Sequence, residues 1–361
     1  MGAFPVNPDA VCALFYKETK NMYSLANRIM PICGVYITMD KKDLKIVFLG
    51  TPDFAVESLR RLVEGGYNVV GVVTMPDKPA GRGHKMLHSP VKQYAEEKGL
   101  FLMQPPKLKA PEFVEQLRSL DADLFIVIAF RMLPEVVWSM PRYGTFNLHA
   151  SLLPRYRGAA PINWAVMNGD TETGVTTFFL KHEIDTGDVI DQKSISIGPD
   201  ECVGDVHDRL MMLGADLTID TVDRILAGNL SSMPQDALEG EPTSAPKIFK
   251  ETCRIDWSRT AREIHNHVRG LSPYPAAWTL LPREDGGEPI NVKVFATALI
   301  DGTDVVSAMP QVGTPGTIYT AGGRLFVSAT NGWIEILSLQ PAGKRRMQSD
   351  EFLRGYRLAS M

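Results

Sequence analysis

Lys45-Ile-Val-Phe-Leu-Gly50, followed directly by Thr51-Pro52-Asp53, is the stretch that decides the fold of this chain. An apolar run without polar alternation predicts a strand that is buried on both faces of a sheet. The Thr-Pro-Asp tripeptide predicts a turn and the start of a helix. A buried strand that leads through a turn into a helix is how a doubly wound α/β domain begins.

Strand-like and helix-like patterns alternate after this stretch. The strand patterns cover residues 69–74, 100–103 and 123–130, and amphipathic helical patterns cover 56–64 and 113–120. This alternation predicts a parallel sheet with crossover helices. A long helical pattern from Gly204 to Gly228 closes the unit. Because no G-x-G-x-x-G follows the first strand, a dinucleotide cofactor is not indicated.

The second part of the chain has a different pattern. Residues 229–246 are rich in Ser, Pro, Glu and Gly, which is typical of a linker. A helical stretch near Ala261 to Leu271 is followed by short β-like runs at 292–295, 316–319, 325–328 and 334–337, which predict a small barrel. The predicted organisation is a leader over 1–43, a first domain over 44–228, a linker over 229–246 and a second domain over 247–361.

Length and composition limit the possible classes of protein. A chain of 361 residues with 44% hydrophobic and 22% charged residues is expected to form two globular domains. Four scattered cysteines support neither a zinc site nor a disulfide framework. No apolar run is long enough to span a membrane, and the start shows no strong secretory pattern, so a cytoplasmic monomer is expected.

The net charge of −4 argues against a uniformly basic nucleic-acid binder, but it hides an asymmetry. From Pro246 to Met361 there are 14 Lys and Arg against 11 Asp and Glu, or +3, which leaves −7 for the rest. A mildly basic second half could meet a phosphate backbone, but on this observation alone ordinary scatter of surface charge is the favoured explanation.

Residues 1–38 carry little periodicity and no motif. We expect the folded protein to start at Met39, shortly before the first strand pattern. The leader is then either a genuine extension or an upstream reading of the gene.

Asn147-Leu148-His149 carries the first candidate chemistry, because it ends a short β-like run that starts at Gly144. Side chains two apart on a strand share a face, and open α/β sheets bind ligands at the carboxyl ends of their strands. Asp185 follows another β-like run, from Gly174 to Lys181. An amide donor, an imidazole and a carboxylate suit acyl transfer through an oxyanion, whereas an isolated Asn-x-His is more often structural.

The longer string Asn147-Leu-His149-Ala-Ser-Leu-Leu-Pro154-Arg-Tyr-Arg-Gly158, with Asp185-Thr-Gly-Asp188 downstream, resembles the folate-dependent formyltransferases. The resemblance extends from Lys45 to Arg357 and is closest to members that act on tRNA. It implies a Rossmann-like catalytic domain and an open, OB-like barrel. It also implies formyl transfer from 10-formyltetrahydrofolate, without a metal, to the amino group of methionine on initiator tRNA.

The resemblance assigns roles to individual residues. Asn147 would donate a hydrogen bond to the formyl oxygen, and His149 would either stabilise that oxygen or relay the proton of the amine. Asp185 would orient His149 and hold a water molecule. The segment Ser151, Leu152, Leu153 and Pro154 matches the folate-binding segment, although such a tetrapeptide alone could be a connector. Ser151 is no convincing nucleophile, because no G-x-S-x-G surrounds it.

Two basic segments are candidates for contact with tRNA. Lys78, Arg82 and Lys85 lie in a Pro- and Gly-rich loop over residues 75–92, which matches the insertion of the tRNA-formylating members. The triplet Lys344, Arg345 and Arg346 in the second domain is another. For both, a solvated surface is the alternative interpretation.

Further residues have interpretations that do not depend on catalysis. His182 is expected to be structural or to support the site, and His265 and His267 are expected to be solvent-exposed. Arg131 departs from the pattern of many members of the family and would lie near the folate pocket. For Arg155-Tyr156-Arg157, a surface patch and an anion contact are equally compatible with the sequence.

Two other functions remain open at this point. A formyltransferase for a small amine, such as a sugar amine or glycinamide ribonucleotide, would share the three candidate catalytic residues but lack the basic loop and the tRNA-binding barrel. A catalytically silent RNA-binding protein would have no need for all three residues.

Overall fold

The structure is a computed structural model, and it describes residues 39–80, 85–300 and 310–360. For Ala80 and Lys85 only the backbone is described. None of the helices described combines the length and the apolar character that a membrane span requires.

A seven-stranded sheet forms the first domain. Its strands are β1 (Ile46–Gly50), β2 (Val69–Val73), β5 (Leu102–Met103), β6 (Leu124–Ile128), β7 (Thr145–His149), β9 (Glu172–Phe179) and β10 (Val189–Ser196), in the order β10-β9-β7-β6-β1-β2-β5. The five strands from β7 to β5 are parallel, whereas β9 and β10 are antiparallel to their neighbours. The prediction of a doubly wound, Rossmann-like domain is confirmed, with the correction that the sheet is mixed.

Helices cover both faces of this sheet. They are α1 (Asp53–Glu64), α2 (Pro90–Glu97), α3 (Pro111–Ser119), α4 (Glu135–Trp138), α5 (Pro161–Met167) and α6 (Val203–Leu226). Alternate residues of β1 serve the two faces: Ile46 and Phe48 pack in one core with α1 and α6, and Val47 and Leu49 in another with α3. This explains why the first strand is apolar throughout.

Two short two-stranded pairs lie outside the main sheet. The strands β3 (Lys78–Ala80) and β4 (Lys85–Leu87) form an antiparallel hairpin within the segment that the sequence suggested was a loop. The strands β8 (Arg157–Gly158) and β11 (Ser244–Ala245) pair in parallel. Because β11 belongs to the predicted linker, this second pair fastens the linker to the first domain.

The second domain is an antiparallel sheet that packs against two helices. Its elements are α7 (Ala261–Leu271), β12 (Ala277–Leu281), β13 (Ile290–Leu299), β14 (Ile318–Ala321), β15 (Arg324–Ala329), β16 (Gly332–Pro341), β17 (Met347–Gln348) and α8 (Ser349–Gly355). The strand order is β12-β13-β16-β15-β14, with β17 added to β16. In the described part of the chain β12 and β14 do not pair, so this β-rich domain is open, as expected for an OB-like barrel.

Helix α7 lies between the domains, and this makes one expectation from the sequence wrong. His265 is only 3% exposed; its Nδ1 is 3.0 Å from Thr297 Oγ1 of the barrel and its Nε2 is 3.3 Å from the carbonyl oxygen of Pro199 in the first domain. His267 is half-buried on another face. The histidines were expected in solvent because the sequence did not show that α7 is covered on two sides.

Burial at this interface predicts a loss of stability in acid. It lowers the pKa of His265 from its usual value of 6.5, although Asp200 and the carbonyl of Pro199 oppose the shift. Because the folded state then binds the proton less readily than the unfolded state, the free energy of unfolding should fall as the pH drops below about 6.5. We expect His265→Gln to reduce the dependence of the unfolding free energy on pH in this acid range, measured by denaturant titrations at several pH values. His182→Gln, at an exposed side chain, should leave this dependence unchanged, and an equal change in both variants would contradict the assignment.

A chain that starts at Met39 is expected to fold and to work like the full chain. The backbone N–H of Met39 donates to the carbonyl of Leu226, and Leu44 is fully buried, so the shortened chain keeps both contacts. We expect the unfolding free energy to change by less than about 0.5 kcal/mol. Loss of soluble, folded protein on removing residues 1–38 would show that the leader packs against the domain.

Candidate active site

Strand β7 places Asn147 and His149 on one face of the sheet, at its carboxyl end. Leu148 points the other way and packs against α6 so closely that a Cβ on Gly214 would lie 2.7 Å from its Cδ2. The neighbours of β7 are β6, where Val127 is opposite Asn147, and β9, where Thr176 is opposite His149. Alternation along the strand therefore separates the polar pair from the α6 face.

His149 is held by the main chain of the segment that follows β7. It is 6% exposed, and its Nε2 lies 2.9 Å from the carbonyl oxygen of Tyr156. Because a carbonyl oxygen only accepts, Nε2 carries the proton and Nδ1 has the free lone pair in the neutral imidazole. The ring packs edge-to-face on Phe178, with their centroids 6.4 Å apart.

Asp185 approaches His149 from the loop between β9 and β10. Its Oδ2 is 3.8 Å from His149 Nδ1 and accepts a hydrogen bond of 2.9 Å from the backbone N–H of Gly158. The Asp185 backbone is in the left-handed region, with φ of 55°. The structure thus brings these two sequence-predicted residues together, with the lone pair of Nδ1 facing the carboxylate.

Two buried polar atoms at neighbouring strand ends have no hydrogen-bond partner in the described structure. They are Asn147 Oδ1, at the end of β7, and Arg131 Nε, just after β6. The rest of the Arg131 guanidinium donates to the carbonyls of Pro105 and Pro106, and burial lowers the pKa of this group. A buried acceptor and a buried donor left without partners are what a polar ligand would satisfy.

The segment from Ser151 to Pro154 is fixed from several sides. Ser151 Oγ donates to the carbonyl of Arg155, the Leu153 N–H donates to Thr176 Oγ1, and Gln192 Nε2 donates to the carbonyl of Leu153. The side chain of Leu153 is buried against Phe178 and Val189, and Leu152 packs on Gly174. The two leucines therefore point into the domain, and the contact of this segment with folate stays a prediction.

Arg155 and Arg157 both have partners within the chain. Arg155 pairs with Asp170 at 2.8 Å, and Arg157 donates to Gln235 Oε1. Burial raises the pKa of the Tyr156 hydroxyl, which donates to Asp170. These contacts favour a structural role for the triplet over an open surface patch.

Two of the three candidate tRNA contacts in the first domain lie on the β3–β4 hairpin. Lys78 is exposed on β3, Lys85 is on β4, and Arg82 lies outside the described residues. Lys92, at the base of the segment, pairs with Asp77 at 2.5 Å and holds the pKa of that carboxyl below its usual range. The positive charge of Lys92 is therefore partly used within the domain.

In the second domain the three basic residues have different surroundings. Lys344 is exposed, Arg345 pairs with Glu351, and Arg346 donates to Ser338 Oγ at 2.8 Å and lies over the ring of Phe295. Arg346 also lines a cavity of about 1200 Å³ between the domains. Their contact with tRNA stays a prediction.

His182 is not near a recognisable metal site. Its ring packs on Trp138, and its Nε2 is 3.4 Å from Glu135 Oε1. Across the described ranges no group of three or more His, Cys, Asp or Glu residues could hold a metal ion.

Sequence reasoning missed the groups that position the site. The carbonyl of Tyr156 and the N–H of Gly158 are main-chain groups. Because every residue type carries such groups, the sequence does not reveal these contacts. Gln235 donates to the carbonyls of Asp185 and Gly187, but it lies in a polar segment without a motif. The one available signal was that Tyr156 and Gly158 belong to the string that resembles the family.

Comparisons with known proteins agree with this geometry. The family model described as "Formyl transferase" matches residues 44–222, and that described as "Formyl transferase, C-terminal domain" matches residues 247–357. The methionyl-tRNA formyltransferase of Bacteroides fragilis is 60% identical over 325 residues, which cover 89% of this chain and 97% of that protein. That of Porphyromonas gingivalis is 50% identical over 324 residues, which cover 89% and 98%.

Solved structures share the fold at lower identity. An N-formyltransferase of Helicobacter canadensis, in complex with folinic acid and dTDP-3-aminofucose, has a TM-score of 0.59 at 20% identity, covering 82% of this chain and 99% of that chain. HypX from Aquifex aeolicus, in complex with tetrahydrofolic acid, has a TM-score of 0.58 at 18% identity, covering 88% and 48%.

The mixed sheet and the appended β-rich domain, together with the two family models that match them, define a formyltransferase. Within that class, the chain belongs to the methionyl-tRNA formyltransferase family.

Proposed function

We propose that this protein transfers the formyl group of 10-formyltetrahydrofolate to the α-amino group of methionine carried by initiator tRNA. The observation that carries the proposal is the convergence of Asn147, His149 and Asp185, with 3.8 Å between His149 Nδ1 and Asp185 Oδ2. Membership of the family supports the same reaction. Because the proposed acceptor is a charged tRNA, we infer action in the cytoplasm, and we expect a monomer.

The residues at the strand ends fit a folate co-substrate, which would supply an activated formyl group. Its pterin ring carries acceptors for Arg131 Nε, and the reacting amine carries a donor for Asn147 Oδ1; both protein atoms are buried and have no partner in the described structure. Satisfying both groups would remove the cost of leaving them unpaired.

Asn147 can hold both reacting groups with one amide. Its Nδ2 can donate to the formyl oxygen, on which negative charge grows in the transition state, an interaction worth roughly 3 kcal/mol when it strengthens there. Its unpartnered Oδ1 can accept a hydrogen bond from the attacking amine. Orienting the amine in this way favours the attack geometry.

His149 can take the proton that the amine loses when the new C–N bond forms. The bond from Nε2 to the carbonyl of Tyr156 leaves Nδ1 as the basic nitrogen. Protonation there creates an imidazolium beside the Asp185 carboxylate, which stabilises it. His149 then holds a proton for the nitrogen that leaves the formyl carbon.

The basic hairpin is suited to guiding the acceptor end of tRNA. It connects the carboxyl end of β2 to α2, so it projects from the same edge of the sheet as Asn147. In the strand order β7-β6-β1-β2, β2 lies three strand spacings from β7, or about 14 Å. Phosphate contacts by Lys78, Arg82 and Lys85 would therefore be made near the reacting amine.

Competing acceptors test the proposed function. With 10-formyltetrahydrofolate in excess, we expect rapid formylation of methionyl initiator tRNA and little formylation of a sugar amine or glycinamide ribonucleotide, measured by mass spectrometry of the products. Uncharged tRNA is the control. Preference for a small amine would replace the proposed acceptor, and absence of turnover with any acceptor would favour a silent RNA-binding protein.

A further inference from the structure

Gln235, in the predicted linker, is buried against the loop that carries Asp185. Its side chain is 3% exposed. Its Nε2 donates to the carbonyl oxygens of Asp185 at 2.8 Å and Gly187 at 2.9 Å. One side chain from the segment between the domains thus spans both ends of the turn at Asp185.

Arg157 fixes the orientation of the Gln235 amide. Its Nε and Nη2 donate to Gln235 Oε1 at 3.1 and 2.6 Å. Because a guanidinium only donates, the amide oxygen must face Arg157 and the NH₂ group must face the two carbonyls. The orientation of this amide therefore follows from its partners.

These contacts close a ring around the carboxylate of Asp185. Arg157 precedes Gly158 on β8, and the N–H of Gly158 donates to Asp185 Oδ2 at 2.9 Å. The linker binds β8 again at β11, where the N–H of Arg157 donates to the carbonyl of Thr243. Gln235 holds the main chain of Asp185, and Gly158 holds its side chain.

Asp185 depends on such support because of its backbone conformation. A non-glycine residue with φ of 55° is in the left-handed region, which is unfavourable unless its surroundings hold it. At 3.8 Å, His149 is too far away to hold Asp185 by a direct hydrogen bond. A small shift of this loop would move the carboxylate away from His149 Nδ1.

We propose that Gln235 and Arg157 are positioning residues, which hold the Asp185 carboxylate where it can stabilise protonated His149. The segment between the domains is then part of the active site. The kinetic consequence rests on the proposed function, whereas the positioning itself does not.

Substitutions at Gln235 distinguish the effect of its hydrogen-bond donors from the effect of its side-chain volume. Gln235→Met keeps the volume and loses all hydrogen bonds, and Gln235→Glu keeps acceptors for Arg157 but loses the NH₂ donors. We expect both to lower kcat for formylation of methionyl-tRNA by roughly tenfold, with little change in KM for either substrate. Arg157 is less buried than Gln235. We expect Arg157→Met to lower kcat by only roughly threefold, because the NH₂ donors of Gln235 stay in place.

The pathway of the effect is tested in an Asp185→Ala background. If Gln235 acts through Asp185, Gln235→Met should change kcat there by less than about twofold. Thr221→Val is the matched control, because it removes a buried hydrogen bond to Thr177 on the α6 side of the sheet. An equal fall of kcat in both backgrounds, or as large a fall in Thr221→Val, would overturn the proposal.

Amide hydrogen exchange gives a readout that needs no turnover. The N–H of Gly158 is protected by Asp185 Oδ2, so its exchange rate should rise roughly tenfold in Gln235→Met and Gln235→Glu but not in Thr221→Val. Wild-type exchange rates at Gly158 in both Gln235 variants would overturn the positioning role. A wild-type protein that fails to formylate methionyl-tRNA would overturn the proposed function instead, and the exchange result would still stand.

Discussion

Asn147→Ala, His149→Ala and Asp185→Ala are each expected to lower the rate of formyl transfer by at least about a hundredfold while the fold persists. In the proposed mechanism, Asn147 supplies the amide for the oxygen that gains charge, and His149 supplies a base fixed by the Tyr156 carbonyl. Asp185 supplies the charge 3.8 Å from His149 Nδ1. Each of these proposed contributions is made mainly in the transition state. Single-turnover rates with methionyl initiator tRNA, with circular dichroism as the fold check, measure the effect.

Combination and control variants make this prediction specific. Because the three groups act on one transition state, the triple variant should be little slower than the slowest single variant. His207→Ala is a matched control on α6, at the opposite face of the sheet, where the ring packs on Phe54. Near-normal turnover in Asn147→Ala or His149→Ala would remove the catalytic assignment.

The elements predicted well from the sequence are those whose local pattern has one solution. β1 and β6 are apolar throughout because both faces are covered, and α7 has the same bounds as its helical pattern, with Thr260 and Glu263 forming a capping box at its start. The antiparallel direction of β9 could not be predicted. It depends on how β9 pairs with β7 and β10, and not on the residues of β9 itself.

The candidate site shows the same division between local and distant information. The shared face of Asn147 and His149 follows from the two-residue period of a strand. The grouping of Asp185 with this pair was suggested by its position after another β-like run and by the resemblance, because no local rule relates residues 36 positions apart along the chain. The support from Gln235 was missed, since a polar segment without periodicity looks alike whether it is solvated or folded onto a domain.

Neutralising the hairpin with Lys78→Gln, Arg82→Gln and Lys85→Gln is expected to weaken tRNA binding by about a hundredfold at 0.1 M salt. Each lost phosphate contact removes roughly 0.9 from the slope of log K against log salt, so three contacts flatten the slope by about 2.7. The same change of charge at Lys42, Lys98 and Arg118 is the control. Those residues lie just before β1, β5 and β6, at the amino-end edge of the sheet and away from Asn147.

Folate binding should be the same in both triple variants, because the hairpin charges are assigned to phosphate and not to the pterin. If Arg82 also fixes the acceptor end, Arg82→Ala should slow turnover even when tRNA is saturating, since a misplaced amine loses orientation as well as affinity. Formylation rates across a salt series distinguish these effects. Unchanged tRNA kinetics in the hairpin variant, or an equal loss in the control, would exclude the hairpin from recognition and leave acceptor choice to the second domain.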